Sequence, residues 1–223
     1  MVSRFFKNTS NELPVMAPFS RATIDRLQTC AQAVNLTAGD KMSLGAIGLI
    51  ISGSAKLVRT LPNGADHISE FAYPGSLLFG HTGESEAPHL TALESARILL
   101  LPNEPCLTTW AEDGTFWNEI MKAAMARIQS LEIHAARLAR MSACERVAAF
   151  LISLVKIEAY ETNSLRLHLP MSRADIGNHL GLTIETISRC IARLKNEKLV
   201  ACPSRHEMLI LDVRRLAIFH KHA

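Results

Sequence analysis

Glu185, Ser188 and Arg189 fall within one short stretch, LTIETISRCI, which runs from Leu182 to Ile191. If that stretch is helical, Glu185 and Arg189 are four apart and stack on one face, with Ser188 beside them. Ile187, Cys190, Ile191 and Leu194 take the opposite face. The chemistry open to the polar face is recognition of base edges. A guanidinium bonds O6 and N7 of guanine together, a carboxylate accepts from N4 of cytosine, and a hydroxyl serves several edges. The plainer alternative is an exposed intrahelical ion pair worth a few tenths of a kcal/mol. Cys190 follows Arg189 directly, so its oxidation could disturb that face. Its position on the apolar side argues instead for a packed thiol, which is usually inert.

The flanking residues are those needed to position such a helix. Ser172 precedes RADIGNHL and Asp175 stands three residues later, a capping pair in which Asp replaces the usual Glu. Gly181 can take a left-handed turn at no steric cost. Thr183 then caps a second helix from Ile184 to about Asn196. Ile176, Leu180, Ile187, Ile191 and Leu194 supply the contact between the two helices. A short helix, a glycine turn and a second helix make a helix-turn-helix, whose second helix enters the DNA major groove.

Charge supports a polyanionic partner for this part of the chain. From Cys144 onward there are twelve Lys and Arg against eight Asp and Glu, whereas the residues before it carry a net charge of −1. A solvated surface with a small basic excess is the alternative.

Upstream, the texture differs. Residues 20–34 read as a short amphipathic helix with Ser20 as N-cap and Ile24, Leu27 and Ala31 on one face. From Thr37 to Pro102, short apolar runs are broken by Gly, Pro and Asn, and Pro62-Asn63-Gly64 marks a hairpin. Strands at this spacing predict a small β-barrel or roll. From Thr115 to Met141 there is no Pro or Gly. Trp117, Met121, Ala124, Ile128, Leu131, Ala135 and Leu138 recur at alternating steps of four and three, a heptad seam about three heptads long. A second copy of the helix, hence a parallel homodimer, is the expected cover. Packing on its own domain is the alternative. A further helix is expected from about Ala143 to Tyr160.

The fold expected is therefore α+β, in three parts: a β-roll over 1–113, a dimerisation helix over 114–141, and an α-rich domain over 142–223. Apolar runs are too short to span a bilayer. Five scattered cysteines without a CxxC fit a reducing cytoplasm better than a disulfide framework. Neither a nucleophile–base constellation nor a phosphate loop is visible, so no enzyme is expected. Cys202 with His206, and His220 with His222, are each two ligands short of a closed zinc site, so no metal is expected.

The segment MSRADIGNHLGLTIETISRCIARLKNEKLV resembles the helix-turn-helix of the Crp/Fnr superfamily of bacterial transcription regulators, and its ETISR core is most similar to the Fnr and FixK branches. SACERVAAFLISL resembles the family's helix after the dimerisation helix. GLIISGSAKLVRTLPNGADHISEFAYPGSLLFG resembles its cyclic-nucleotide-binding-like β-roll. The resemblance spans roughly residues 36 to 215. It implies a winged helix-turn-helix in which Glu185, Ser188 and Arg189 read bases of a TTGAT-N4-ATCAA palindrome, with Arg189 on the guanine and Glu185 on the opposite strand. It implies phosphate contacts at Ser172, Arg173, Thr183 and Thr186, and at Arg205 and His206 near the tip of the wing, ACPSRHEMLIL. RNA polymerase is the implied protein partner, and activation the implied output.

The sequence departs from the family in its sensory half. Cyclic-AMP-binding members hold the cyclic phosphate with an Arg, but no Arg lies between Arg59 and Arg97, and His81 follows Gly80. The stretch from Gly39 to Ile50 is also short for the family. An iron–sulfur cluster needs about four thiolates within reach, and the N-terminal region offers only Cys30. The expectation is a regulator without cofactor. The alternative is a ligand-gated sensor that needs a small molecule, or haem held among His67, His81 and His89, before it binds DNA.

Overall fold

The computed structural model describes residues 31–45, 47–80, 88–101, 114–155 and 165–222. Most of the helix expected over 20–34, with Ser20, Ile24 and Leu27, lies outside the described residues, as do Cys30, His81 and Cys106. Its last residues are not helical. Gln32–Leu36 form strand β1, whose backbone pairs antiparallel with a later strand, Gln32 opposite Leu100 and Leu36 opposite Ala96.

Among the described residues, eight strands make the N-terminal part. After β1 come β2 (Lys41–Ser43), β3 (Ile47–Ser52), β4 (Ala55–Thr60), β5 (Asp66–Ala72), β6 (Leu77–Phe79), β7 (His89–Ala92) and β8 (Ala96–Leu101). They form two four-stranded antiparallel sheets, ordered β1-β8-β3-β6 and β2-β7-β4-β5. The expected hairpin is the β4–β5 connection. Gly64 N donates to Leu61 O at 2.8 Å, Ala65 N donates to Asn63 Oδ1 at 3.1 Å, and Gly64 takes φ +81°. Positive φ is carried by Gly64 alone, since Asn63 keeps an ordinary conformation. Leu44, Ile50, Ala55, Leu57, Leu78, Leu90 and Ile98 fill the space between the sheets.

Helix α1 (Gly114–Arg140) follows. Its first turns use a stripe that the heptad seam does not contain. Phe116 and Ile120 are 1% and 7% exposed and join Leu49, Leu77, Leu99 and Leu101 in one apolar cluster. Farther on, Arg127 pairs with Glu70 of β5 at 2.9 Å. The described chain divides into two compact units between Leu131 and Glu132, inside α1. The reason is that α1 changes partners along its length. Phe116 and Ile120 belong to the β unit, while His134 stacks on His179 of the C-terminal unit at a ring separation of 4.4 Å.

The C-terminal unit continues with α2 (Ala143–Ser153), β9 (Leu165–His168), α3 (Arg173–Leu180), α4 (Ile184–Asn196), β10 (Val200–Ala201), β11 (Glu207–Ile210) and α5 (Val213–His222). Helix α2 starts at a capping box between Ser142 and Glu145. It ends at Ser153, not near Tyr160: Leu154 N bonds Leu151 O and Ile152 O as the cap. Leu154 and Val155 remain buried past that end, so apolar periodicity outruns the helix. Strands β10, β11 and β9 form a small antiparallel sheet.

Candidate nucleic-acid interface

Two caps set the geometry of α3 and α4. Ser172 Oγ accepts from Asp175 N at 3.1 Å, and Asp175 Oδ2 accepts from Ser172 N at 3.0 Å, so each end of the expected pair satisfies an orphan backbone donor. Gly181 takes the left-handed conformation at φ +63° and its N–H bonds Gly177 O. Thr183 Oγ1 accepts from Thr186 N at 3.3 Å and starts α4. The turn is also tight at Gly177, which the sequence reading passed over. A Cβ there would lie 2.5 Å from Leu182 O. The signal was present, as a glycine inside an otherwise helical pattern facing the next turn.

Helix α4 is anchored by Ile187, Cys190, Ile191 and Leu194, all buried. Its other side presents Glu185, Arg189 and Ala192 as exposed residues, with Ser188 and Thr186 half-buried beside them. The three candidate readers therefore share one outward face, on a helix fixed by its packed side. The face is internally bonded. Arg189 Nη2 donates to Thr186 Oγ1 at 3.3 Å, and Thr186 Oγ1 lies 3.1 Å from Thr183 Oγ1. Its own backbone N–H, then the Thr183 hydroxyl, and then the charge of Arg189 hold the Glu185 carboxyl below its usual range. Glu185 is thus a carboxylate acceptor at neutral pH. Arg173 Nη1 reaches from α3 to Ser188 Oγ at 3.2 Å. Ile184, at the first position of α4, is an exposed apolar residue on the same end, and the sequence reading gave it no role.

The wing candidates separate. Arg205 is exposed in the connection between β10 and β11. His206 is tied back: its ring Nδ1 lies 3.1 Å from Leu169 O, and its carbonyl accepts from Leu169 N.

The heptad residues of α1 behave differently from Phe116 and Ile120. Trp117, Met121, Ile128 and Leu131 are 37%, 61%, 51% and 41% exposed within a single chain. Ala135 is exposed as well, and Ala124 and Leu138 are half-buried. The helix thus carries two apolar stripes, one used by its own β unit and one left open.

Among the described residues, no group of three or more His, Cys, Asp and Glu side chains is placed to hold a metal ion. None of the described helices is long and apolar enough to cross a membrane. The side chains of His220 and His222 lie outside the described residues.

The model of the Crp-like helix-turn-helix domain matches residues 145–219. The regulatory protein HlyX of Actinobacillus pleuropneumoniae is 32% identical over 173 residues, covering 76% of this chain and 71% of that protein. The transcriptional activator protein Anr of Pseudomonas protegens is 30% identical over 166 residues, covering 72% of this chain and 67% of that one. The solved structure of FixK2 from Bradyrhizobium japonicum superposes with a TM-score of 0.72 at 22% identity, covering 84% of this chain and 96% of that chain.

Proposed function

The chain belongs to the Crp/Fnr superfamily of transcription regulators, and on that premise we propose that it acts as a homodimer on a palindromic promoter site. Each subunit inserts α4 into one of two successive major grooves, about one helical turn apart. Arg189 bonds the guanine of a TTGAT-N4-ATCAA site, Glu185 accepts from the opposite strand, and Ser188 serves a neighbouring edge. Ile184 is the apolar group available to a thymine methyl. Ser172, Arg173, Thr183 and Thr186 surround this face and are assigned to the phosphate backbone, with Arg205 as the wing contact. His206 is the weakest of that set, since its ring already serves Leu169.

The observation that carries the reading is the outward presentation of Glu185, Ser188 and Arg189 on a helix locked by Thr183 and four buried residues. The open seam on α1 supports the dimer, because four large apolar side chains exposed in a row call for cover. Activation through RNA polymerase is the proposed output, in keeping with the name carried by Anr. Binding without cyclic AMP is proposed because β4 and β8 supply Arg59 and Arg97 but no Arg lies between them in sequence.

Fluorescence anisotropy of the ligand-free full chain tests this, using the palindromic duplex against a scrambled one at two salt concentrations. Preferential binding to the palindrome is expected. Equal binding to both duplexes would overturn ligand-independent recognition, and preference appearing only with an added effector would favour the gated form of the same regulator.

A further inference from the structure

Cys144 and Cys190 are far apart in sequence and adjacent in the C-terminal unit. Cys144 stands in the first turn of α2 and is partly exposed, while Cys190 lies on the packed side of α4 at 3% exposure. Their sulfurs are 2.7 Å apart. That is well inside ordinary contact and less than an ångström from the roughly 2.05 Å of a disulfide bond. Arg193 stands one turn beyond Cys190 on α4 and is ion-paired with Glu197 at 3.0 Å.

We propose that Cys144 and Cys190 form a redox modification site, closing to an intrachain disulfide in the presence of a peroxide and stapling α2 to α4. A shared metal ion does not fit this geometry. Two thiolates on a tetrahedral zinc with bonds near 2.3 Å stand about 3.8 Å apart.

The order of events follows from exposure. Cys144 is the accessible sulfur. Its thiolate attacks hydrogen peroxide, the O–O bond breaks, and with one proton taken up the products are a Cys144 sulfenic acid and water. Cys190, whose thiol burial pushes up to about 12, is the resolving partner. Its sulfur attacks the Cys144 sulfur, the S–O bond breaks, and hydroxide leaves with the Cys190 proton as a second water. Two thiols have lost two electrons and one peroxide has become two waters. A dithiol reductant reverses the bond by thiol–disulfide exchange.

Because the sulfurs already adjoin, closure leaves the exposed face of α4 where it is. The oxidised chain gains a cross-link between two cysteines 46 positions apart in sequence and keeps its binding face. This consequence rests on the reading of α4 as the recognition helix; the bond itself does not.

The test titrates the full reduced chain with hydrogen peroxide and maps peptides by mass under non-reducing conditions. The expected product links the Cys144 and Cys190 peptides with loss of two hydrogens, and dithiothreitol removes it. Cys202→Ser keeps the link. Cys190→Ser and the less buried Cys144→Ser both abolish it. Oxidised wild type melts roughly 10 °C or more above the reduced form, while Cys144→Ser shows no such rise. No link, or a link through Cys202, overturns the site. If the link forms but affinity for the palindrome falls more than about tenfold, the staple's harmlessness to DNA binding is overturned. Reduced protein that ignores the palindrome refutes the recognition reading instead, and the mass map is unaffected by that result.

Discussion

Arg173 Nη1 donates to Ser188 Oγ at 3.2 Å, so a residue of α3 assigned to phosphate is bonded to a residue of α4 assigned to bases. The two roles separate by salt dependence. Each phosphate neutralised by a side chain contributes close to one unit to the slope of log K against log salt. Arg173→Ala removes one such contact from each subunit, so it should weaken binding to palindromic and scrambled duplexes alike and lower that slope by about two. Ser188→Ala should alter sequence preference and leave the slope unchanged. An Arg173→Ala loss confined to the palindrome would move Arg173 into the base-reading set.

Gly177 is the backbone counterpart of these contacts. A Cβ at this position would stand 2.5 Å from the carbonyl oxygen of Leu182, and that carbonyl belongs to the turn between α3 and α4. The backbone cannot yield as a flexible side chain could. Gly177→Ala should therefore cost about 1–3 kcal/mol, read as a shift of the denaturant midpoint. An unchanged midpoint would mean the turn relaxes freely.

The legible parts of the sequence were those governed by local chemistry. Ser172 with Asp175, Gly181 and Thr183 announce their caps and turn by residue type and spacing, and the structure places all four in those roles. The heptad on α1 was legible as a stripe, but Phe116 and Ile120 were not, because their burial depends on β3, β6 and β8 folding beneath them. The end of α2 was misjudged for a related reason: Leu154 and Val155 stay buried after the helix stops. The closeness of Cys144 and Cys190 is a tertiary fact that neither local sequence suggests. The turning of the His206 ring to Leu169 depends likewise on the pairing of β9 with β11.

Glu70 gives the β unit a pH dependence of definite sign. Burial raises its carboxyl from 4.5 to about 7, against the opposing pull of Arg127. The folded state therefore holds the proton more tightly than the unfolded chain does. Its contribution is fully present below pH 4.5 and is lost as pH rises towards 7, on the order of 3 kcal/mol across that window. Glu70→Gln should flatten the fall in unfolding free energy between pH 5 and pH 7.5. An identical fall in both proteins would place the dependence elsewhere.

The open seam makes a separate prediction. Ile128 is 51% exposed in the single chain, so Ile128→Glu leaves the packing of Phe116 and Ile120 intact. It should convert dimer to monomer in sedimentation velocity. Affinity for the full palindrome should drop by roughly a hundredfold or more, because the second half-site is no longer bound intramolecularly. A dimer that persists with Ile128→Glu would mean that another surface joins the subunits.

The central claim is that Arg189 reads guanine from the exposed face of α4, and a cycle between protein and DNA tests it most directly. Wild type and Arg189→Ala would be titrated with the palindromic duplex and with one whose two TTGAT guanines are replaced by adenine. Arg189→Ala removes one contact from each half-site and should bind the palindrome more weakly by roughly 30-fold or more. Replacing the guanines should then cost the variant almost nothing further. Equal losses from the DNA change in both proteins would contradict the assignment of Arg189 to guanine.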